Sequence, residues 1–264
     1  MSGRGGQVRH SVSFVLELWD DFMDRPISDA SLNVYTEDKK RPIRKEGGFY
    51  VFTNASFPAV VTIESAWYER EEIRIPSMDQ RNPVIKKRLS PGHRYPLPEG
   101  TSFVQGLAAP DVRVEVSVED DSALWRLLSD YDAEKTPDRM ELFNPFEKEL
   151  EGRRFYIRDR EGKKEEFFQI QSQEARTGKI CLAEPLAYAY KKAGTKLYEC
   201  SSTRADAEGR FQIPLKVRTQ GKKEILCRIG IEGRIYEAWI ERGKTVHWEQ
   251  PQGQVASGAD MKKG

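Results

Sequence analysis

The side chains that most often perform catalysis are scarce in this chain of 264 residues. Its three histidines are His10, His93 and His247, so no two have the i, i+4 spacing that puts a metal-binding pair on one helix face. The chain contains no Gly-x-Ser-x-Gly nucleophile motif and no glycine-rich phosphate-binding loop. We therefore expect a protein that is not an enzyme and that has no catalytic, cofactor-binding or metal-binding residues.

Two acidic clusters, at 20–24 and 119–121, are the remaining candidates for metal chemistry. Carboxylates grouped in a turn bind calcium when backbone carbonyls complete the coordination. The alternative is a solvated turn, which is common in a chain with 32% charged residues. Carboxylates are also favoured at helix N-termini, which would account for the second cluster. The pattern favours the solvated interpretation for both.

Four aromatic side chains are candidates for contact with a partner: Tyr95, Phe168, Tyr188 and Tyr190. The first stands in a Pro-rich run, and the others belong to aromatic clusters at 167–168 and 188–190. In each cluster we expect one ring to face a core, while the other ring can join a binding patch.

The overall charge is balanced, with 43 Lys and Arg against 42 Asp and Glu. A strongly basic nucleic-acid-binding protein is therefore not expected. Short basic runs at 39–41, 86–88 and 222–223 are more typical of strand edges that resist aggregation. No apolar run approaches the roughly 20 residues that a membrane span needs.

The cysteines and the N-terminus point to a reducing compartment. Cys181, Cys200 and Cys227 are an odd number and have no Cys-x-x-Cys spacing, which predicts free, buried thiols. Residues 1–7 lack the apolar core of a signal peptide. The expected localisation is cytoplasmic, with release as part of an assembled particle left open.

Alternating apolar and polar residues predict β-strands along most of the chain. The alternation is clear at 12–18 and clearest at 112–118, where four valines share one face. Short strands follow one another with Gly, Pro or charged turns between them, which is typical of β-sandwiches. Only 122–131 has helical spacing, with Ser122 as a plausible N-cap.

A repeat organises these strands. The stretches 44–52 and 204–213 each have a charged turn, a glycine (Gly48 or Gly209) and then a strand with apolar residues two apart. Glycine adopts the positive φ that such a turn needs. The repeat predicts an all-β chain with two related β-sandwich modules, the second interrupted by an insertion.

The predicted organisation has six parts: a flexible tail at 1–10, a β-sandwich at 11–89, a Pro-rich linker at 90–101, a second β-sandwich made of 102–118 and 201–249, an inserted β-rich subdomain at 119–200 and a disordered tail at 250–264. We expect the insertion to be a small β-barrel or meander with one short helix. Elaborations in the loops of a β-scaffold often carry function.

The first module has a set of residues in a recognisable order across 11–76: Pro26, Ile27, Ala30, Leu32, Val34, Gly48, Tyr50, Phe52 and Tyr68. The second module keeps part of it: Val112, Val114, Asp206, Gly209 and Phe211. This order resembles the carboxypeptidase regulatory-like domains, which are transthyretin-like (prealbumin-type) sandwiches. The resemblance implies two Ig- or transthyretin-like sandwiches in tandem, although the second lacks the Pro-Ile turn.

Two further runs, 95–101 and 182–190, are similar to sequences in proteins that accompany phage tail-like contractile injection particles. This resemblance implies a structural or adaptor component that binds other protein subunits, including copies of itself. It carries over no functional residue, because that family has no catalytic set.

The expected function is therefore a non-enzymatic structural or adaptor role in such a particle, through sheet edges and insertion loops. The alternative is a carbohydrate- or cell-surface-binding module. In that case Tyr188, Tyr190 or Trp67 would be the platform on which a glycan stacks.

Overall fold

The computed structural model describes residues 11–28, 32–77, 83–119, 125–145, 148–174, 178–217 and 223–248. In these ranges the chain forms β-strands and one 3₁₀ turn, Glu46–Gly48, and no α-helix. The prediction of an all-β fold is thus confirmed. No helix within the described ranges has the length and apolarity to cross a membrane. Two compact units divide the chain, 1–90 and 91–264.

Unit 1 is a β-sandwich of a five-stranded and a three-stranded sheet. In the first sheet β1 lies between β5, which is antiparallel to it, and β8, which is parallel, while β2 and β4 extend the sheet. The second sheet has the order β3-β6-β7. The strands are β1 (Val12–Asp20), β2 (Arg25–Pro26), β3 (Asn33–Thr36), β4 (Ile43–Lys45), β5 (Phe49–Thr53), β6 (Ala59–Glu64), β7 (Glu71–Ile75) and β8 (Val84–Leu89).

The core of unit 1 follows from the alternation in its strands. Phe14, Leu16 and Leu18 of β1 are fully buried, and Phe14 stacks on Phe52 of β5 with ring centroids 4.5 Å apart. The second sheet contributes residues such as Ile63. Each such side chain contributes about 1.5–3 kcal/mol through burial, which is why one face of each strand must be apolar.

Unit 2 contains a nine-stranded sheet, called here the large sheet, and a three-stranded sheet of order β17-β9-β20. The order of the large sheet is β11-β12-β15-β14-β13-β16-β10-β18-β19. The strands are β9 (Phe103–Leu107), β10 (Arg113–Glu119), β11 (Arg126–Leu127), β12 (Arg139–Phe143), β13 (Arg154–Arg158), β14 (Glu165–Gln173), β15 (Lys179–Leu182), β16 (Lys196–Arg204), β17 (Arg210–Pro214), β18 (Glu224–Ile231), β19 (Arg234–Glu241) and β20 (Thr245–Trp248).

The two units share one pattern of strand pairing. β1 pairs antiparallel with β5 and parallel with β8, and β9 pairs antiparallel with β17 and parallel with β20. In the other sheet, β3-β6-β7 corresponds to β10-β18-β19, with both pairings antiparallel in each case. The expectation of two related β-sandwich modules is confirmed at the level of strand topology.

The glycine turns stand at equivalent places in this topology. Gly48 precedes β5 with φ +79°, and Gly209 precedes β17 with φ +80°. A Cβ atom at Gly48 would lie 2.8 Å from the Leu18 carbonyl oxygen, and one at Gly209 would lie 2.3 Å from that of Ala108. Both the positive φ and the close backbone contact therefore require glycine.

Two larger hydrophobic clusters lie in unit 2. The sandwich core lies between β10, β18 and β19 and the small sheet, and includes Val114, Val116 and Phe211. The insertion core is lined by β11 to β15 and the start of β16, and includes Trp125 and Phe155. β13, β14 and β15 form a meander, flanked by β12 and β16.

β16 connects the two clusters because it is one continuous strand. Residues 196–199 pair with β13, and residues 200–204 pair with β10. The predicted boundary between insertion and sandwich, at 200 and 201, therefore falls inside a strand. The subdivision of unit 2 stays a prediction, as do the tails, which lie outside the described residues.

The predicted helix at 122–131 is wrong for residues 125–131. Arg126–Leu127 is strand β11, which pairs with β12. Trp125 and Leu127 are buried while Arg126 and Leu128 are exposed, which is the alternation of a strand. Pairing with β12 and burial of Trp125 override the helical spacing of the leucines. Ser122 lies outside the described residues.

Candidate functional site

The large sheet has a second face, opposite the two cores, that carries charged residues. Because Val114, Val116 and Val118 of β10 point into the sandwich core, the side chains of Glu115 and Glu119 point the other way. On β13 the same rule turns Arg154, Tyr156 and Arg158 to this face, since Phe155 and Ile157 fill the insertion core.

Opposite charges on this face form a ladder of ion pairs. The Arg154 Nε atom lies 2.5 Å from Glu115 Oε1, and Arg158 Nη1 lies 3.0 Å from Glu119 Oε2. Glu119 also accepts a hydrogen bond from Arg228 of β18. The ladder links β10, β13 and β18, and it therefore connects the insertion to the sandwich.

The ladder extends to β19, the last strand of the large sheet. Arg228 Nη1 lies 2.9 Å from Glu237 Oε2 on β19. At its other side, Arg154 Nη1 donates a hydrogen bond of 2.8 Å to Gln169 Oε1 on β14. The Glu115–Arg154 and Glu119–Arg228 pairs are shielded from water by neighbouring strands, so they interact more strongly than surface pairs do, whereas Glu237 is 49% exposed.

A cleft of about 500 Å³ opens beside this ladder. We call it the sheet-face cleft; its lining includes Arg113, Glu115, Arg154, Phe167, Gly230 and Ile235. Phe167 of β14 lies over Gly230 of β18, where a Cβ atom would be 2.7 Å from the ring. The curled sheet thus brings β14 against the β18–β19 hairpin, and a small residue at 230 permits it.

A small aromatic cluster forms the floor beside the cleft. Tyr156, Tyr198 and Cys200 are buried there, with Phe167 and Ile235 packed against them. Burial raises the pKa of Tyr156, and its hydroxyl donates a hydrogen bond to Glu165, which raises the pKa further. The tyrosine therefore stays protonated and acts as a hydrogen-bond donor, with no role as a base.

The buried thiols are likewise protonated. Burial raises the pKa of Cys200 well above its usual range and raises that of Cys227 to about 12. Because the thiolate is the reactive form of cysteine, neither group is poised as a nucleophile or a metal ligand. All three cysteines are free, as the sequence predicted, but only Cys200 and Cys227 are buried, whereas Cys181 is half-buried.

Glu166, the neighbour of Phe167, has a different task on the opposite face of β14. Its carboxylate accepts hydrogen bonds from Ala187 N (2.8 Å), Tyr188 N (3.3 Å) and Tyr190 Oη (2.9 Å). Burial raises the pKa of this carboxyl group, and the three donors oppose that rise. Glu166 anchors the segment 187–190 to the insertion.

The structure places the four predicted partner-contact residues as follows. Phe168 and Tyr190 are buried in the insertion core, and Tyr188 packs against it while half-buried. Tyr95 is buried in unit 2, where its carbonyl oxygen accepts a hydrogen bond from Gln212. A direct contact with a partner stays a prediction for all four residues, of which Tyr95, Phe168 and Tyr190 have buried rings and Tyr188 is half-buried. Phe167, and not Phe168, is the ring that faces the cleft.

The acidic cluster at 20–24 is a turn held by protein donors. Asp20 is buried and accepts hydrogen bonds from Met23 N and from the Tyr68 hydroxyl, each at 2.8 Å. Asp24 pairs with Arg88 at 2.9 Å. Among the described residues, no three or more His, Cys, Asp or Glu side chains are grouped as metal ligands. Of the second cluster, only Glu119 lies within the described ranges.

The ladder was not identified from the sequence, although a signal exists. Glu115 and Glu119, like Arg154 and Arg158, are four residues apart on strands that are otherwise apolar on one face. β10 and β13 both run antiparallel to β16, so they are parallel to each other and the two spacings match. Only the pairing with β16 reveals that match.

No family model and no curated protein matches this chain. Similar solved structures include the major pilin subunit BcpA of Bacillus cereus, at 8% identity over 86% of this chain and 67% of that chain, with a TM-score of 0.23. The shaft pilin SpaA of Lactobacillus rhamnosus GG has 9% identity over 89% of this chain and 96% of that chain (TM-score 0.22). A DUF3823 family protein of Bacteroides ovatus has 11% identity over 88% and 98% (TM-score 0.21). TM-scores this low carry no argument about function.

Proposed function

We propose that this chain is a non-enzymatic structural or adaptor protein built of two carboxypeptidase regulatory-like sandwich modules. The observation that carries the proposal is the ion-pair ladder on the large sheet. Glu115, Glu119 and Glu237 are each paired with an arginine. Carboxylates engaged in this way hold strands in place and are poorly suited to act as a general acid or base.

The other reactive groups beside the cleft support the same proposal. Tyr156 and Cys200 have raised pKa values because they are buried. The sheet-face cleft is therefore lined by groups that stabilise the sheet. Stiff sheets with open edges and supported loops are suited to binding other proteins.

The finer proposal is that the partners are subunits of a phage tail-like contractile injection particle, assembled in the cytoplasm and released with the particle. Its support is the sequence similarity at 95–101 and 182–190. In the structure the second run is anchored by Glu166, and part of it, including Tyr188, is accessible to a partner.

The proposal is tested by purifying the tagged full chain from its native cells and identifying the co-purifying proteins by mass spectrometry. We expect tube, sheath or baseplate-like proteins at constant ratios. A clean monomer without partners would contradict the adaptor role. Turnover of a substrate that is lost on one carboxylate substitution would contradict the non-enzymatic role.

The second candidate function is carbohydrate or cell-surface binding. One observation favours it: the backbone N–H of the half-buried Tyr188 is held by Glu166, so its ring is presented by an anchored segment. A glycan array with the wild-type chain and Tyr188→Ala tests it, with Phe143→Ala, a variant of another exposed aromatic ring, as the control. Glycan binding that only Tyr188→Ala abolishes would establish this function in place of the adaptor role.

A further inference from the structure

β19 ends the large sheet, and its outer edge is open in the part of the chain that the structure describes. The strand pairs with β18 along all eight of its residues. Within the described ranges no strand pairs with its other side. Proteins usually protect such an edge with charged side chains, above all Lys, with Pro or with a β-bulge. β19 contains no Lys and no Pro, and its register with β18 is unbroken; its charged residues are Arg234, Glu237 and Glu241.

The backbone groups that face this open edge can be assigned. Arg242 N donates a hydrogen bond to Lys223 O, so the pair formed by these residues is hydrogen-bonded. In an antiparallel ladder, hydrogen-bonded and non-hydrogen-bonded pairs alternate. The even-numbered residues of β19 therefore bond β18, and the N–H and C=O groups of Ile235, Glu237 and Trp239 point to the free edge.

An exposed tryptophan stands on this edge strand among carboxylates. Trp239 is 61% exposed and lies opposite Leu226 of β18. Glu237 and Glu241 flank it two residues away on the same face; Glu237 is paired with Arg228, whereas Glu241 lies directly opposite a second carboxylate, Glu224. An indole ring bordered by negative charge attracts a Lys or Arg side chain through cation–π and Coulomb interactions.

Unit 1 contains an internal example of such a contact. The ring of Trp19 on β1 is contacted by two cations from the paired strand β8: Lys86 Nζ lies 3.8 Å and Arg88 Cζ 5.5 Å from its centroid. Arg88 also pairs with Asp24. A basic strand that adds to a sheet edge and covers a tryptophan is therefore an arrangement that this chain already forms once.

We propose that β19 binds an extended basic segment of a partner protein, which adds to the large sheet and places a Lys or Arg over Trp239. The carboxylates of Glu241 and Glu224 select the positive charge, and the free backbone groups of β19 supply the hydrogen bonds. This inference rests on the proposed adaptor role and names the chemistry of its partner.

The test uses the full chain and a fluorescently labelled ten-residue peptide of alternating Lys and Val, with binding followed by anisotropy. We expect binding by this peptide and none by the peptide with Glu in place of Lys. Trp239→Ala should weaken binding about tenfold, the effect of a well-formed cation–π contact. The matched control is Phe143→Ala on β12, another exposed aromatic, which should bind like wild type.

A second pair of variants distinguishes strand addition from side-chain contact alone. Glu237→Pro removes an N–H that faces the free edge, whereas Glu237→Thr keeps it and removes the same charge. Since Pro is tolerated at edge positions whose N–H faces solvent, both variants should melt at similar temperatures. Binding should be clearly weaker for Glu237→Pro than for Glu237→Thr.

Equal binding of the basic and acidic peptides would overturn the proposal, and so would binding that neither Trp239→Ala nor Glu237→Pro weakens. A dimer that sedimentation detects in the wild type and not in Trp239→Ala would assign the edge to a second copy and also overturn it. Co-purification distinguishes a failure of the β19 proposal from a failure of the adaptor role. If wild type and Trp239→Ala recover the same particle proteins, the adaptor role stands and the β19 proposal fails.

Discussion

At the scale of single residues, Gly48 and Gly209 permit the tight turns of the two modules, and the ion-pair ladder joins strands of the large sheet. Gly209 passes so close to Ala108 that no Cβ atom fits, and its φ of +80° is unfavourable for other residues. The residue type and its place before a strand were readable from the sequence, because positive φ in a turn strongly favours glycine. The sequence did not reveal that Gly209 contacts Ala108, because Ala108 is about a hundred residues away.

Gly209→Ala should destabilise unit 2 by about 2–4 kcal/mol, since both the backbone strain and the clash with Ala108 O add to the cost. Urea denaturation followed by tryptophan fluorescence measures this change. The control is Gly100→Ala, at φ +76° with no atom within 4 Å of the added Cβ, which should cost only about 1 kcal/mol. Equal losses of unfolding free energy for the two variants would show that the close contact with Ala108 O adds nothing to the cost.

The Glu115–Arg154 pair should show a coupling of about 2 kcal/mol in a double-mutant cycle with Glu115→Gln and Arg154→Met. The expected value is large because both side chains are at least four-fifths buried, at 14% and 19% exposure. A cycle on the exposed pair Arg210–Glu208 serves as the control and should give less than about 1 kcal/mol. A coupling free energy near zero for Glu115–Arg154 would show that this ion pair does not stabilise the sheet.

At the scale of elements, strands with regular alternation were predicted correctly, whereas the helix predicted at 122–131 is wrong for residues 125–131. Val114, Val116 and Val118 alternate with polar residues and form β10. Residues 125–131 carry leucines at helical spacing, but β12 offers backbone partners and the insertion core accepts Trp125. Pairing with β12 therefore made this segment a strand, although the spacing of its leucines favours a helix.

Glu166→Gln tests the anchoring of segment 187–190 through its dependence on pH. Burial raises the folded-state pKa of Glu166 above its ordinary 4.5, so its contribution to stability is greatest at low pH and falls as the pH rises through the folded-state pKa. The free energy of unfolding of Glu166→Gln, relative to wild type, should therefore increase between about pH 4 and pH 7.

Urea denaturation at several pH values measures this difference for the full chain. Glu184→Gln is the control, because that side chain is exposed and lies in the same part of the insertion. The change with pH should be larger for Glu166→Gln than for this control. A constant difference for Glu166→Gln would show that its carboxyl group titrates alike in the folded and unfolded chain.

At the scale of the whole molecule, the chain is two sandwiches with one pairing scheme, and the large sheet of unit 2 also contains β11 to β15. Every strand pairing described for unit 1 lies within residues 1–90. A unit whose sheets and core are complete in this way is expected to fold by itself.

Residues 1–90 expressed alone should therefore unfold cooperatively in urea and show the near-UV circular dichroism of packed aromatic rings. The matched control is residues 1–82, which lacks β8, the strand that pairs with β1 along six residues. This shorter fragment should be strongly destabilised, because β1 loses one of its partners and Trp19 loses its cover. An unfolded 1–90 fragment would contradict the independence of unit 1.

The sequence by itself determined the all-β class, the repeated glycine turn and the free cysteines, because alternation, positive φ and cysteine spacing are local properties. It did not determine which aromatic rings are buried, how β16 joins two cores, or that Glu115 meets Arg154. Those features depend on strands brought together from distant parts of the chain, and burial and pairing exist only after the sheet has curled. The same reason explains why the open edge of β19, with Trp239 upon it, became visible only in the tertiary structure.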